Sequence, residues 1–165
     1  MLSRVFDFFY KRIYPVEYAR KIGVIVGDDC RLINTSYSTE PYLITLGNRV
    51  SATKVHFETH DGGVWVLRDE LPNIDRVKKI TVGSNVFIGY ESLILPGVTI
   101  GDNVIIGARS VVSKSIPSNC VAVGSPAEPI KNISEYKIQA IRDGENTKQM
   151  SFEEKKQYYT RLFSE

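Results

Sequence analysis

A strict six-residue rhythm between residues 82 and 117 constrains the fold of this 165-residue chain more than any other feature. An aliphatic residue opens each of six consecutive hexads: Val82, Ile88, Ile94, Ile100, Ile106 and Val112. The fifth place of each hexad holds a small or aliphatic residue: Val86, Ser92, Val98, Val104, Ser110 and Ile116. A period of six fits neither an α-helix, with about 3.6 residues per turn, nor the two-residue alternation of an amphipathic strand.

Repeats of six residues are typical of a parallel β-helix, a solenoid in which each hexad forms a short strand and a corner. Three hexads would close one triangular coil, with the aliphatic first residues stacked inside it: Val82 with Ile100, Ile88 with Ile106, and Ile94 with Val112. Glycine at the second place of four hexads suits the corners, as do the pairs Ser84–Asn85 and Asp102–Asn103. The sequence therefore predicts a mainly β fold.

The same rhythm continues upstream with two interruptions. Further units begin at Val26, Leu32, Leu46 and Ala52. The gap between the second and third of these is two residues longer than two hexads, so we expect residues 34–42 to bulge from a corner. Residues 61–79 are too polar for a core and are expected to form a longer loop expelled from the solenoid. Loops inserted into a solenoid often carry the functional site.

A helix is expected before the solenoid. Six apolar residues share one helical face within residues 1–19: Leu2, Val5, Phe6, Phe9, Tyr10 and Ile13. This helix would pack on its own domain or on a partner subunit. Weak association of residues 1–14 with a membrane surface is the alternative.

Two more helices are expected after the solenoid, which should occupy residues 20–131. Ser134 is expected to cap a helix that runs to about Arg142, and residues 151–154, SFEE, match a capping box that opens a second helix. Six residues of these helices are predicted to face inward: Ile138, Ile141, Phe152, Tyr159, Leu162 and Phe163. The whole chain, residues 1–165, is predicted to be one domain, with residues 132–165 as its C-terminal helices.

The composition excludes several classes of function. A net charge of +2, without runs of Lys or Arg, argues against a nucleic-acid partner. Cys30 and Cys120 are far apart and outside any CxxC pair, so we expect structural cysteines in a reduced, cytoplasmic protein. No apolar run of about 20 residues is present, and we expect no signal peptide, because the first residues lack its apolar core and small-residue cleavage site.

Two segments carry a family resemblance. Residues 88–131 resemble the acetyl-CoA-binding end of the hexapeptide-repeat acyltransferases. Residues 40–66, which contain THDGG, are similar to the bacterial O-acetyltransferases of surface-polysaccharide gene clusters. The maltose and galactoside acetyltransferases are more distant relatives.

The resemblance implies a left-handed parallel β-helix that assembles as a homotrimer with active sites between subunits. It also implies acetyl-CoA as donor, no metal, and a histidine that deprotonates the acceptor hydroxyl for direct attack on the thioester. The expected acceptor is a sugar hydroxyl in capsule, lipopolysaccharide or exopolysaccharide biosynthesis.

His60 in THDGG matches the catalytic histidine of the family. Acyl transfer to a hydroxyl needs a base that titrates near neutral pH, and histidine does so. Glu58 and Asp61 are alternative candidates to orient its second ring nitrogen, and a backbone carbonyl could do the same. His56 is the rival for the role of base, and is otherwise a structural residue or a substrate neighbour.

Three further residues of this stretch are candidates for substrate binding. Gly62 and Gly63 would let the backbone approach a substrate closely. Trp65 would form an apolar wall for a sugar ring or the pantetheine arm, with a contact to another subunit as the alternative.

The resemblance carries over a set of acetyl-CoA contacts by position: Gly89, Tyr90, Ala108, Ser113, Lys114 and Lys131. Arg109 is a further candidate, as an extra cation in the same coil. The first three match residues near the pantetheine arm. Ser113 and Lys114 match a pair that reaches the nucleotide end, although plain solvated charge is the alternative for both lysines. Glu128 departs from the family, because many relatives carry arginine there.

Other functions stay open. The same donor could serve the amine of an amino sugar or nucleotide sugar, or a xenobiotic. A catalytically inactive trimeric scaffold is the non-enzyme alternative. A zinc-dependent carbonic anhydrase on this solenoid would need three histidines, and the chain has two.

Overall fold

Short strands stack into three sheets in the computed structural model, which describes residues 9–164. The first sheet contains β1 (Ile25–Val26), β4 (Ile44–Leu46), β7 (Ile80–Val82) and β10 (Thr99–Ile100). The second contains β2 (Arg31–Ile33), β5 (Val50–Thr53), β8 (Val86–Ile88), β11 (Ile105–Ile106), β13 (Cys120–Gly124) and β14 (Ala127–Asn132). The third contains β3 (Ser36–Tyr37), β6 (His56–Phe57), β9 (Leu93–Ile94) and β12 (Val111–Val112). From β1 to β12 consecutive strands pass from sheet to sheet, so the chain winds as a β-helix, and β14 then pairs antiparallel with β13.

The register between coils confirms the predicted stacking of the hexads. Parallel pairing joins Ile100 to Val82, Ile106 to Ile88, and Val112 to Ile94. All six side chains are buried, as are the six residues at the fifth place of each hexad. Complete burial of a Val or Ile side chain stabilises a fold by about 1.5–3 kcal/mol, so the repeat itself supplies the core.

The hexad glycines lie at corners, as expected, but their role there is to leave space for the next coil. Left-handed backbone is adopted mainly by other residues, among them Asn85 (φ 57°) and Asn103 (φ 55°). A Cβ atom added to Gly47 would lie 2.7 Å from the backbone carbonyl of Gly83 in the following coil. A Cβ atom on Gly89 would overlap the backbone of Ala108 in the same way.

The first interruption is shorter than predicted. Residues 34–42 do not all bulge, because Ser36–Tyr37 form β3 and pair with His56–Phe57. The ring of Tyr37 stacks on that of Phe57 at 5.7 Å between centroids, which holds this side of the coil in place. The protrusion therefore begins at Ser38, and a 3₁₀ helix over Pro41–Leu43 returns it to the first sheet.

The second interruption confirms the predicted loop at residues 61–79. Backbone hydrogen bonds close its base, from Asp61 N to Arg76 O and from Lys78 N to Thr59 O, each at 2.8 Å. Its first limb forms a 3₁₀ helix over Gly62–Leu67. The loop is thus clamped to the solenoid on both sides of His60.

Helix α1 spans Pro15–Lys21, and residues 9–13 before it are also helical. Leu2, Val5 and Phe6, which the predicted apolar face includes, lie outside the described residues. Packing of this segment on a subunit or a membrane surface stays a prediction. Within residues 9–164, none of the helices is long and apolar enough to span a bilayer.

Contacts divide the chain into two compact units, with the boundary between Ser134 and Glu135. Helix α2 spans Ile133–Asp143, and the prediction that Ser134 caps it is wrong. The Asn132 side chain accepts hydrogen bonds from the backbone N–H and the hydroxyl of Ser134 instead, both at 2.9 Å. The assignment of the whole chain to one domain stays a prediction.

Helix α3 spans Phe152–Leu162, and its capping box between Ser151 and Glu154 is confirmed. The prediction that apolar residues of α2 and α3 face inward is wrong for five of them, which are exposed: Ile138, Ile141, Phe152, Leu162 and Phe163. Tyr159 is partly buried and shares a hydrogen bond of 2.9 Å with Thr147. An amphipathic pattern predicts a helix but does not reveal whether the same chain supplies a surface to cover it.

The close approach of the coils predicts a large difference between two glycine substitutions. Gly47→Ala should lower the free energy of unfolding by about 1–3 kcal/mol, because the new methyl group overlaps the next coil. Gly62→Ala is the matched control, since no atom of residues 9–164 other than those of its chain neighbours lies within 4 Å of the added Cβ atom. Urea denaturation of both variants checks this. Equal stability of the two variants would contradict the steric role of Gly47.

Candidate active site

His60 lies at the corner where the third sheet leads back to the first, at the base of the loop. Its backbone forms an isolated antiparallel bridge with Val77 on the returning limb. β6, three residues earlier, is fixed between β3 and β9. The imidazole is therefore held between the solenoid and the loop, with 41% of its side chain exposed.

Acceptor groups surround one nitrogen of the His60 ring. Nδ1 lies 3.2 Å from Glu58 Oε1, 3.3 Å from Thr39 Oγ1 and 3.5 Å from Glu40 Oε2. Two carboxylates on this side favour the neutral tautomer that carries its proton on Nδ1. Nε2 has no hydrogen-bond partner among residues 9–164, so it is available to accept a proton.

Glu58 is the predicted orienting residue that contacts the imidazole. Its second oxygen, Oε2, lies 3.1 Å from His56 Nε2. Burial acts to raise the pKa of the Glu58 carboxyl, but hydrogen bonds from His56 and the His60 backbone, with the charges of both imidazoles, lower it below its usual value. The carboxylate is therefore ionised when it faces His60.

Glu40 is a second carboxylate at His60 that the sequence reasoning missed. It comes from the protrusion one coil earlier, which the pairing of Ser36 with His56 places beside His60. Hydroxyl groups hold both of its oxygens, with Thr39 donating at 2.6 Å and the buried Thr59 at 2.8 Å. The Thr39 hydrogen bond, followed by that of Thr59 and the charge of His60, lowers the pKa of the Glu40 carboxyl despite some burial.

Asp61, the other predicted orienting residue, points its carboxylate elsewhere. Oδ1 accepts from the backbone N–H of Gly63 at 2.9 Å and caps the 3₁₀ helix. Oδ2 pairs with Arg76 Nη1 at 2.9 Å across the base of the loop. These contacts shape the loop rather than orient the imidazole.

Two cavities meet at His60, and both are also lined by Asp61, Gly62 and Arg76. The first cavity, of about 480 Å³, extends along the solenoid past Lys78, Leu95, Pro96 and Ser113. The second, of about 310 Å³, extends under the loop and is lined among others by Thr39, Glu40, Val64 and Trp65. Trp65 is 78% exposed, and Gly63 does not line either cavity.

His56 is placed where it supports Glu58. It lies on β6, and the cavities at His60 are not lined by it. Nδ1 lies 2.8 Å from Ser36 Oγ, and Nε2 faces Glu58. Both ring nitrogens are therefore engaged, which disfavours His56 as the group that takes a proton from a substrate.

The structure separates the predicted acetyl-CoA contacts. Ser113 shares the first cavity with His60, and its neighbour Lys114 forms an ion pair with Glu128 at 3.4 Å. Lys131 lies on β14.

Four residues lie at another corner, between the second and third sheets: Gly89, Tyr90, Ala108 and Arg109. At that corner Tyr90 carries Lys54 above its ring, and Arg109 pairs with Glu91 at 3.2 Å.

Comparison with known proteins agrees with this architecture. The family described as bacterial transferase hexapeptide (six repeats) matches residues 79–114. Protein CapG of Staphylococcus aureus is 47% identical over 168 residues, which cover 99% of this chain and 98% of CapG.

Two of the similar solved structures are acetyltransferases with more than 25% sequence identity. A hexapeptide-repeat acetyltransferase from Vibrio cholerae has a TM-score of 0.60 at 26% identity and covers 67% of this chain and 63% of its own. A maltose O-acetyltransferase from Clostridium difficile 630 has a TM-score of 0.51 at 28% identity, over 79% of this chain and 82% of its own. The solenoid is thus a left-handed parallel β-helix. Since the likeness to CapG extends over nearly the full length of both chains, this protein belongs to the hexapeptide-repeat acyltransferases.

Proposed function

We propose that this acyltransferase moves an acetyl group from acetyl-CoA to a sugar hydroxyl, with His60 as general base. One observation carries the proposal. The imidazole lies where two cavities meet, with Nδ1 held by acceptor groups and Nε2 left available. A base in this position can reach a hydroxyl in one cavity and a thioester in the other.

The reaction follows from that arrangement. His60 Nε2 takes the proton of the acceptor hydroxyl as the oxygen attacks the thioester carbonyl. The tetrahedral intermediate collapses, the C–S bond breaks, and the imidazolium returns the proton to the thiolate of CoA. Glu58 and Glu40 stabilise the imidazolium electrostatically, because both face Nδ1 as carboxylates.

The first cavity suits the acyl donor. It runs from His60 past the apolar Leu95 and Pro96 to Ser113, which matches the donor end of the family. A partly apolar cavity of this size suits a pantetheine arm. Lys114 then lies beside the nucleotide end, where a lysine can meet a phosphate.

The second cavity suits the acceptor. Trp65 provides an aromatic face for a sugar ring, while Thr39 and Glu40 provide groups that hydrogen-bond hydroxyls. The maltose O-acetyltransferase of similar fold supports a sugar as acceptor. We place this sugar among the precursors of a surface polysaccharide.

A homotrimer completes the proposed site. Within one chain the corner that carries Gly89 and Tyr90 is separated from the His60 corner by the third sheet. A neighbouring copy can bring its own Tyr90 corner to this chain's His60. The predicted acetyl-CoA contacts near Ser113 in one chain and those at the Tyr90 corner of its neighbour then face the same site.

Loss of the base should abolish most turnover. His60→Ala should lower kcat/KM by about 100- to 10,000-fold, the usual contribution of a general base, while acetyl-CoA still binds. The measurement is thiol release from acetyl-CoA with a panel of sugars and nucleotide sugars, together with calorimetric titration of acetyl-CoA. Full activity of the variant would remove His60 from the mechanism.

Freeing Lys114 should strengthen donor binding. Glu128→Gln breaks an exposed ion pair, so KM for acetyl-CoA should fall by about two- to fivefold, the range expected for a surface pair. Glu135→Gln makes the same change of charge on α2 and should leave KM unchanged. If the two variants behave alike, Lys114 does not contact the nucleotide.

The trimer can be tested by mass and by complementation. Light scattering should give three times the chain mass of 18.6 kDa. Co-expressed His60→Ala and Tyr90→Ala chains should form some sites with both residues intact, and should therefore exceed the activity of either variant alone. His60→Ala with Glu58→Ala is the control pair, since both changes fall at the same corner. A monomer, or equal rescue in both pairs, would refute the shared site.

A further inference from the structure

The two histidines of this chain are joined by one carboxylate. Glu58 Oε1 lies 3.2 Å from His60 Nδ1, and Oε2 lies 3.1 Å from His56 Nε2. About a quarter of the Glu58 side chain, 27%, is exposed, so solvent screens it only in part. A change of charge at either histidine is therefore felt by the other through Glu58.

Ser36 fixes His56 in the orientation that this bridge needs. Its hydroxyl lies 2.8 Å from His56 Nδ1, and the two residues are partners in the pairing of β3 with β6. When the hydroxyl donates to Nδ1, the neutral ring carries its proton on Nε2 and donates it to Glu58. A protonated ring donates from both nitrogens. His56 thus holds Glu58 in either state.

Glu40 differs from Glu58 in this respect. Its partners besides His60 are the hydroxyls of Thr39 and Thr59, which do not titrate in the neutral range. The other charged groups that line the cavities at His60 lie on the loop, and four of them form the ion pairs Asp61–Arg76 and Arg68–Asp75. The fifth is Lys78. Of the two carboxylates that face His60 Nδ1, Glu58 is therefore the one that also contacts a second titratable group, His56.

We propose that His56 is a positioning residue whose protonation is coupled to that of His60 through the shared Glu58 carboxylate. The inference rests on the proposed role of His60 as base. When His56 is protonated, its positive charge offsets part of the negative charge of Glu58, which would otherwise stabilise a His60 imidazolium. A charge on His56 therefore weakens the support that Glu58 gives to a charge on His60.

The variant His56→Gln tests the coupling, because glutamine can still donate to Glu58 but cannot gain a proton. The acid limb of the kcat/KM profile, normalised to the plateau of each variant, should move to higher pH by about half a unit and become steeper. His56→Ala also removes the support of Glu58, and its plateau should fall by about 10- to 100-fold because the base is misplaced. Glu58→Gln should move the acid limb to lower pH.

Two controls separate this proposal from simpler roles. Arg31→Gln removes a cation from β2, away from the network, and should leave the limb in place. Ser36→Ala weakens the anchor of His56 and should shift the limb in the direction of His56→Gln by a smaller amount. An unchanged limb in both His56 variants, or a change confined to KM for the acceptor, would overturn the proposal.

An NMR titration gives a readout that does not depend on turnover. With only two histidines, the chain should show two imidazole signals whose titration curves are broader than those of single sites. In His56→Gln the remaining signal should titrate as one site with a higher midpoint. If the wild type releases no CoA but shows this behaviour, the proposed function fails and the coupling stands. Two independent single-site curves would refute the coupling itself.

Discussion

Backbone pairing between consecutive coils is the constraint on which the rest of the molecule depends. Each parallel pair fixes one coil on the next, as Ser36 on His56 and His56 on Leu93. A shift of one residue would turn the buried hexad side chains outward, so the core strongly specifies the register. Residues 20 positions apart in sequence, such as Glu40 and His60, are brought together by that register and not by any local motif.

The environment of His60 combines two kinds of support. Glu40 is held by hydroxyl groups, and Glu58 by another imidazole. The pKa of both carboxyls is lowered in the folded chain. Their ionised forms therefore stabilise the folded state at neutral pH, and that contribution is lost as the pH falls through the lowered values. The surroundings of His60 and the fold thus depend on the same two charges.

The repeat made the coil interior and the position of the loop predictable, because one aliphatic residue every six positions has few structural solutions. The role of Glu40 was not predictable from counting hexads. In two coils the equivalent positions of the second and third sheets are five residues apart instead of six, from Leu32 to Tyr37 and from Ala52 to Phe57. Which of Glu58 and Asp61 contacts the imidazole depends on where each side chain points, and their positions on either side of His60 in sequence do not decide this. The exposed faces of α2 and α3 show the limit of helical patterns, which do not identify the surface they meet.

The clamp at the base of the loop has a consequence for divergence among related enzymes. Hydrogen bonds at Asp61, Arg76, Thr59 and Lys78 close the loop on the solenoid, while residues 62–75 lie beyond them. Insertions, deletions or substitutions in that segment can reshape the wall that carries Trp65 without moving the imidazole or its carboxylates. In the proposed mechanism, acceptor preference can therefore change through the loop alone, while the coils keep His60 and its carboxylates in place.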